Sequence, residues 1–248
     1  MRELSAIFEI KQLSKRIPAG DGLSGERLLL NHINAVIQEP ESIAMMGASG
    51  QGKSTLLRIL ACLESADEGE LYVHGSSCRS MDRTKWRSQV CYVAQQAVML
   101  PGSVEDNLRT VSRLHGTAYE EQLAIRLMDR SGLDSITMKK SAEDLSGGEK
   151  QRLALIRSLM LRPSVLLLDE VTASLDAVSG RLIEEVLMDW HNSEGTSMLW
   201  VTHHADQARR VASRAWTLEG GKLLDSGSHS LPDWEEDKEE LLGSVNQA

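Results

Sequence analysis

Disulfide and zinc chemistry have little to work with in this chain of 248 residues, which holds three cysteines, Cys62, Cys78 and Cys91. Their odd number and wide spacing argue against a disulfide framework and a zinc site, and fit a reducing compartment. Long apolar runs are also missing. The densest, such as residues 165–168, last a few positions, against about 20 for a bilayer span. No basic stripe appears, and 27 Lys and Arg against 36 Asp and Glu leave a net charge of −9. Nucleic acid is therefore not expected as a partner, because phosphate-backbone binding rests on clustered Lys and Arg. The first residues carry charge at Glu3 and Glu9 and no apolar h-region, so a secretory signal is not expected and the cytosol is. Internal repeats and low-complexity linkers are absent.

What is present is ordinary globular composition. With 41% hydrophobic and 25% charged residues, disordered, collagen-like and coiled-coil chains are excluded. At about 150 residues per domain, the length allows one large domain or two small ones.

Short β-rich runs alternate with amphipathic helical patterns, the rhythm of an α/β domain with a largely parallel sheet. Residues 42–46 predict a buried strand. Residues 53–63 predict a helix with Leu56, Leu57, Leu60 and Leu63 near one face. Residues 90–94, 165–168 and 198–202 predict further strands buried on both faces. Between the last two, Val178, Leu182, Ile183, Val186, Leu187 and Trp190 repeat at helical spacing and predict a crossover helix. Residues 103–161 are mostly helical in pattern, as in a lobe inserted into the core. Residues 214–218 and 222–225 flank Glu219-Gly220-Gly221 and predict a hairpin. The acidic run at residues 233–240 reads as a solvated helix or tail.

Gly47-Ala48-Ser49-Gly50-Gln51-Gly52-Lys53-Ser54 fits the pattern G-x-x-x-x-G-K-S where a strand turns into a helix. The glycines let backbone N–H groups close on phosphate oxygens. Lys53 reaches the β- and γ-phosphates, and the Ser54 hydroxyl is placed to ligate Mg2+. Residues 165–170 carry two carboxylates to the C-terminal end of an apolar strand, the end that faces the ligand crevice in open α/β sheets. There Asp169 can hold Mg2+, directly or through water, and Glu170 can polarise an attacking water. His203 follows another strand at the same end, although taken alone its position fits a surface group better.

Leu145-Ser146-Gly147-Gly148-Glu149-Lys150-Gln151-Arg152 opens a helix containing Leu153, Ile156, Leu159 and Met160. Ser146 is a good N-cap and the two glycines expose N–H donors, which makes a second anion-binding helix terminus. One domain needs one phosphate loop. The second suggests service to the nucleotide of another copy, although an ordinary capped helix start also accounts for it.

Taken together, Gly47 to Thr55, Gln95, Leu145 to Arg152, Val165 to Glu170, Ser174-Leu175-Asp176 and His203 resemble, in order, the Walker A, Q-loop, signature, Walker B, D-loop and H-switch of ABC-type ATPases. The similarity covers residues 7–228. It implies a P-loop α/β core with an inserted helical subdomain, about residues 96–161, and an antiparallel β subdomain, residues 1–230 forming one ATPase domain ahead of an acidic tail at 231–248. It also implies ATP and Mg2+, and a head-to-tail homodimer with two ATP molecules between the Walker A of one subunit and the signature of the other. On that pattern Ser146, Gly147 and Gly148 contact the partner's γ-phosphate, and Gln95 links Mg2+ or water to the transmembrane partner. Asp176 connects the two sites, Glu170 is the general base and His203 holds the γ-phosphate.

The family usually stacks an aromatic residue on adenine, in the loop after the first strand. Here that stretch, Leu13-Ser14-Lys15-Arg16-Ile17-Pro18, has none. Lys15 or Arg16 could stack as a cation at about 1 kcal/mol, so a weak preference for ATP over GTP is expected.

The compact spacing of the motifs leaves no room for the coiled-coil arms of chromosome-maintenance ABC ATPases, and a single cassette is not a fused translation factor. The resemblance therefore implies the peripheral nucleotide-binding subunit of a transporter, on the cytoplasmic face of the membrane with separate integral permease subunits. Met99 and Leu100 are candidates for docking those subunits, or equally for core. Residues 156–159, 166–176 and 198–203 are similar in wording to the ATP-binding subunits of bacterial iron exporters of the FetA type. Phosphate or amino-acid importers, lipoprotein-release ATPases and a soluble non-transport ABC ATPase stay open, and a monomeric P-loop kinase leaves residues 146–152 without a role.

Overall fold

The computed structural model describes residues 5–19 and 25–227. The acidic run at 233–240 lies outside the described residues. Two strands precede the one that leads into the phosphate loop, β1 (Phe8–Pro18) and β2 (Glu26–Ile37). The stretch expected as a loop, Leu13 to Pro18, is thus the second half of β1. Pairing between β1 and β2 shifts register between Ile10 and Leu13 and again before Arg16, and Gln12 sits at φ +50°. Such irregularities break the period-two alternation by which strands are read.

β3 (Ser42–Met46) runs into the phosphate loop and α1 (Lys53–Leu60). The helix stops three residues short of the expected end. Cys62 turns to φ +52°, and Leu63 stands 50% exposed. β4 (Glu68–Val73) and β5 (Ser76–Ser77) complete an antiparallel sheet in the order β2-β1-β4-β5. After α2 (Arg83–Gln89) and β6 (Val90–Val93) come α3 (Val104–His115), α4 (Glu121–Arg130), a 3-10 turn at Ala142–Asp144 and α5 (Gly147–Leu159). That stretch contains no strand, as its pattern predicts.

The chain then alternates β7 (Val165–Asp169), α6 (Ala177–Glu194), β8 (Ser197–Val201), α7 (Ala205–Val211), β9 (Arg214–Glu219) and β10 (Lys222–Asp225). These strands form a second sheet, β10-β9-β3-β8-β7-β6, parallel except for the β9–β10 hairpin. Gly220 and Gly221, at φ +55° and +78°, make its turn, the two positive values a type I′ turn requires. Val178 points to solvent at 72% exposure and is not on the buried stripe of α6, which runs through Ile183, Val186, Leu187 and Trp190.

Continuous apolar strands follow from burial on both faces. On β7, Leu166 and Leu168 pack with α3, α4 and α5, while Val165 and Leu167 pack with α1 and the antiparallel sheet. β8 divides in the same way, Met198 and Trp200 on the helical side, Leu199 and Val201 on the other. The parallel sheet therefore separates two apolar cores, and the ends of β3, β7 and β8 carry the candidate site.

Candidate functional site

The phosphate loop is shaped by close approach. Gly47, at φ +142°, leaves a Cβ no room, since one would lie 2.4 Å from the Leu218 carbonyl oxygen. At Gly52, φ +99°, a Cβ would meet the Leu29 side chain at 2.9 Å. Gly52 also caps α1 without a side-chain acceptor, which leaves first-turn N–H groups for an anion. Lys53 is 6% exposed and donates to the carbonyls of Gly47 at 2.5 Å and Ala48 at 3.0 Å. Burial pulls its ammonium below the ordinary lysine value, against the opposing influence of Glu170 and Asp169. A buried cation whose acceptors are two carbonyls is suited to exchange them for phosphate oxygens.

Two clusters meet at the ends of β7 and β8. In the first, the Ser54 hydroxyl donates to Asp169 Oδ1 at 2.9 Å, and the Tyr92 hydroxyl donates to Oδ2 at 2.8 Å. Asp169 is 4% exposed. Burial, and then the hydrogen bond to Asp169, push the Tyr92 phenol up to about 12, so it stays protonated. In the second cluster, Gln95 Nε2 donates to Glu170 Oε2 at 2.9 Å, and His203 Nε2 lies 2.9 Å from Oε1. Glu170 sits at φ +48°, a backbone conformation uncommon for a non-glycine residue and typical of positions held by function. The oxygen donors of Ser54, Asp169 and Gln95 are hard ligands suited to Mg2+, and Ser54 and Asp169 already converge within hydrogen-bond distance. Among the described residues no three His, Cys, Asp or Glu gather as a metal cluster.

Other expected residues stand apart. Ser146 caps α5 in a capping box: its hydroxyl accepts from the Glu149 N–H at 3.3 Å, and the Glu149 carboxylate accepts from the Ser146 N–H at 2.7 Å. Ser146 and Gly147 are exposed, and a Cβ on Gly147 would meet nothing within 4 Å. Asp176 caps α6, accepting from the N–H groups of Val178 and Ser179. Arg16 is exposed on β1, paired across the ladder with Leu28. Lys15, the alternative base-stacking cation, is engaged elsewhere, donating to the Ser65 carbonyl at 2.8 Å with Glu64 and Asp67 close by. Met99 packs against the helical core, whereas Val98 is 71% and Leu100 39% exposed.

Two residues of this region escaped sequence reasoning. Tyr92 owes its place to strand pairing, which no spacing reveals. Gln151, 3% exposed, donates to the Ala94 carbonyl at 3.0 Å and so ties α5 to the residue before Gln95. Its place in the motif at 145–152 is the one signal that could have found it.

Comparison with known proteins agrees with this geometry. Residues 30–173 match the ABC transporter family. The ABC transporter ATP-binding protein YjkB of Bacillus subtilis is 37% identical, over 88% of each chain. The probable iron export ATP-binding protein FetA of Escherichia coli is 34% identical over 79% of this chain and 87% of its own. The phosphonates import ATP-binding protein PhnC 2 of Roseobacter denitrificans is 32% identical over 90% and 84%. Among solved structures, the dimeric bacterial ABC transporter cassette MJ0796 superposes with a TM-score of 0.75 at 26% identity, covering 87% of this chain and 96% of its own. Its post-hydrolysis dimer with ADP and Pi gives 0.77 at 26% identity, over 91% and 100%.

Fold and site thus define a P-loop ATPase. The chain belongs to the ABC transporter family and is one of its ATP-binding, ATP-hydrolysing subunits.

Proposed function

We propose that this subunit powers transport through separate membrane permease chains by closing as a head-to-tail homodimer on two ATP molecules and reopening on hydrolysis. The observation that carries this reading is a division within one chain. Lys53, Ser54, Asp169, Glu170, Gln95 and His203 gather at one site, while Ser146, Gly147 and Gly148 open a different element, α5, with Ser146 and Gly147 exposed. A glycine-rich helix N-terminus, its capping box already closed by Ser146 and Glu149, suits the γ-phosphate bound to a second copy. Dimeric ABC cassettes among the solved relatives support the same assembly. Residues 1–230 act as one cassette, with a helical lobe at about 96–161.

Within the site, backbone N–H groups of residues 47–55 and the Lys53 ammonium bind the phosphates. Ser54, Asp169 and Gln95 would hold Mg2+, which when bound would supply positive charge beside the β- and γ-phosphates. The Glu170 carboxylate accepts a proton from the attacking water, with Gln95 and His203 fixing its two oxygens. His203 Nε2, on Glu170 Oε1 in this structure, turns to the γ-phosphate as the site closes. Arg16, with Leu28 beside it, forms the adenine platform, and Asp176 faces the second site across the dimer.

Docking of the permease falls on Val98 and Leu100, the apolar side chains left exposed just after Gln95. The reading places the subunit peripherally, on the cytoplasmic face, beside those permease chains; among the described residues no helix is long and apolar enough to cross a membrane. Metal-ion export is the cargo we infer, on the FetA-like wording of residues 156–159, 166–176 and 198–203. Importers for phosphonates and methionine also lie among the relatives, at 32% and 34% identity. Purification of tagged protein from solubilised native membranes tests the reading. Co-purification of a polytopic exporter chain supports it, an importer permease overturns the cargo, and soluble partners alone overturn the transport role.

A further inference from the structure

Asp169 is almost fully buried, and each of its carboxylate oxygens is held by a different element. Ser54, at the start of α1, takes Oδ1, and Tyr92, on β6, takes Oδ2. The second contact follows from strand register. Tyr92 lies opposite Leu167 in the parallel β6–β7 pair. Asp169 follows Leu167 by two residues, so both side chains leave β7 on the face that Tyr92 shares. A phenol is long enough to cover that step along the strand, and it delivers its O–H at 2.8 Å to the oxygen that Ser54 does not use.

We infer that Tyr92 is a positioning residue for the divalent-cation site, holding Asp169 Oδ2 so that Oδ1 faces Ser54 and the cation. Partners that orient a metal ligand without touching the metal contribute about 10- to 100-fold to metal affinity. The need is greatest where water cannot substitute, and Asp169, 4% exposed, is such a place. A rigid donor also limits the carboxylate's rotation, which otherwise lets both oxygens compete for the Ser54 hydroxyl.

The inference rests on reading Asp169 as a cation-holding residue, and the test separates the two. Mn2+ binding to the full-length protein with a non-hydrolysable ATP analogue is measured by electron paramagnetic resonance for the wild type, Tyr92→Phe, Tyr92→Met and Asp169→Asn. We expect Mn2+ affinity to fall about tenfold in both Tyr92 variants, with affinity for the analogue in the absence of divalent cation unchanged. Wild-type Mn2+ affinity in either folded Tyr92 variant overturns the positioning role alone. Wild-type affinity in Asp169→Asn overturns the reading of Asp169, and the inference with it. Tyr92→Met fills the space without a donor, so the test stands even if Tyr92→Phe fails to fold.

Discussion

Glu170 and His203, from the ends of neighbouring parallel strands, meet with His203 Nε2 2.9 Å from the Glu170 carboxylate. Gln95 holds the other oxygen at the same distance. A carboxylate fixed on both sides is oriented before substrate arrives, which is what a general base requires. Glu170→Gln should lower ATP hydrolysis at least about 100-fold while nucleotide binding persists, and ATP should then accumulate a dimer visible in sedimentation velocity. A monomer under saturating ATP argues against the head-to-tail assembly.

On the proposed reading the adenine platform lacks an aromatic ring, and Arg16, exposed on β1, covers the base. Competition binding should give ATP and GTP affinities within a few-fold of each other. Arg16→Tyr should favour ATP further, by about 1 kcal/mol or fivefold. Strong ATP selectivity in the wild-type protein contradicts the assignment of Arg16.

Met99 and Val98 are adjacent but differ in environment, one packed against the helical core and the other 71% exposed. Val98→Asp should change folding stability by no more than about 0.5 kcal/mol, keep basal ATPase activity and abolish transport in reconstituted vesicles. Met99→Asp should instead lower the melting temperature, because it places a charge against apolar packing. Transport that survives Val98→Asp removes this surface from the docking interface.

Arg214 ties the lower edge of the parallel sheet together. Its side chain, 8% exposed, reaches Glu41 at 2.9 Å and pairs with Asp225 across the β9–β10 hairpin. Arg214→Ala leaves the part-buried Glu41 and the more exposed Asp225 without their partner and should cost about 1–3 kcal/mol in urea unfolding. The hydrogen bond from Arg214 holds the Asp225 carboxyl below its ordinary range. A depressed folded value means that the stabilisation is present above the unfolded value, near about 4, and is lost as pH falls through the folded one. The stability difference between wild type and Asp225→Asn should therefore shrink as pH falls below the unfolded value; a constant difference contradicts the linkage.

The phosphate loop, Asp169 and Glu170 were legible because each belongs to a local unit, an apolar strand followed by a loop that carries the chemistry; His203, which reads locally as a surface group, was picked out only by the resemblance. The antiparallel sheet was less so. Register shifts near Gln12 and Arg16 interrupt the alternation of β1, so its second half reads as a loop. Leu63 and Val178 fit helical spacing and yet face solvent. Periodicity shows which residues could share a face, not where a helix stops or which flank finds a partner.

By itself the sequence determined the nucleotide chemistry, because strand-loop-helix units set their own backbone and present their own donors. It also determined the parallel core, because strands buried on both faces must be apolar throughout. Tertiary structure alone decided which side chains complete the site. Register between β6 and β7 sets Tyr92 against Asp169, and the packing of α5 brings Gln151 to the Ala94 carbonyl. The division between Met99, packed against the core, and Val98 at the surface was decided there too. Such contacts join distant parts of the chain, and their geometry depends on how whole elements pack, which no local spacing records.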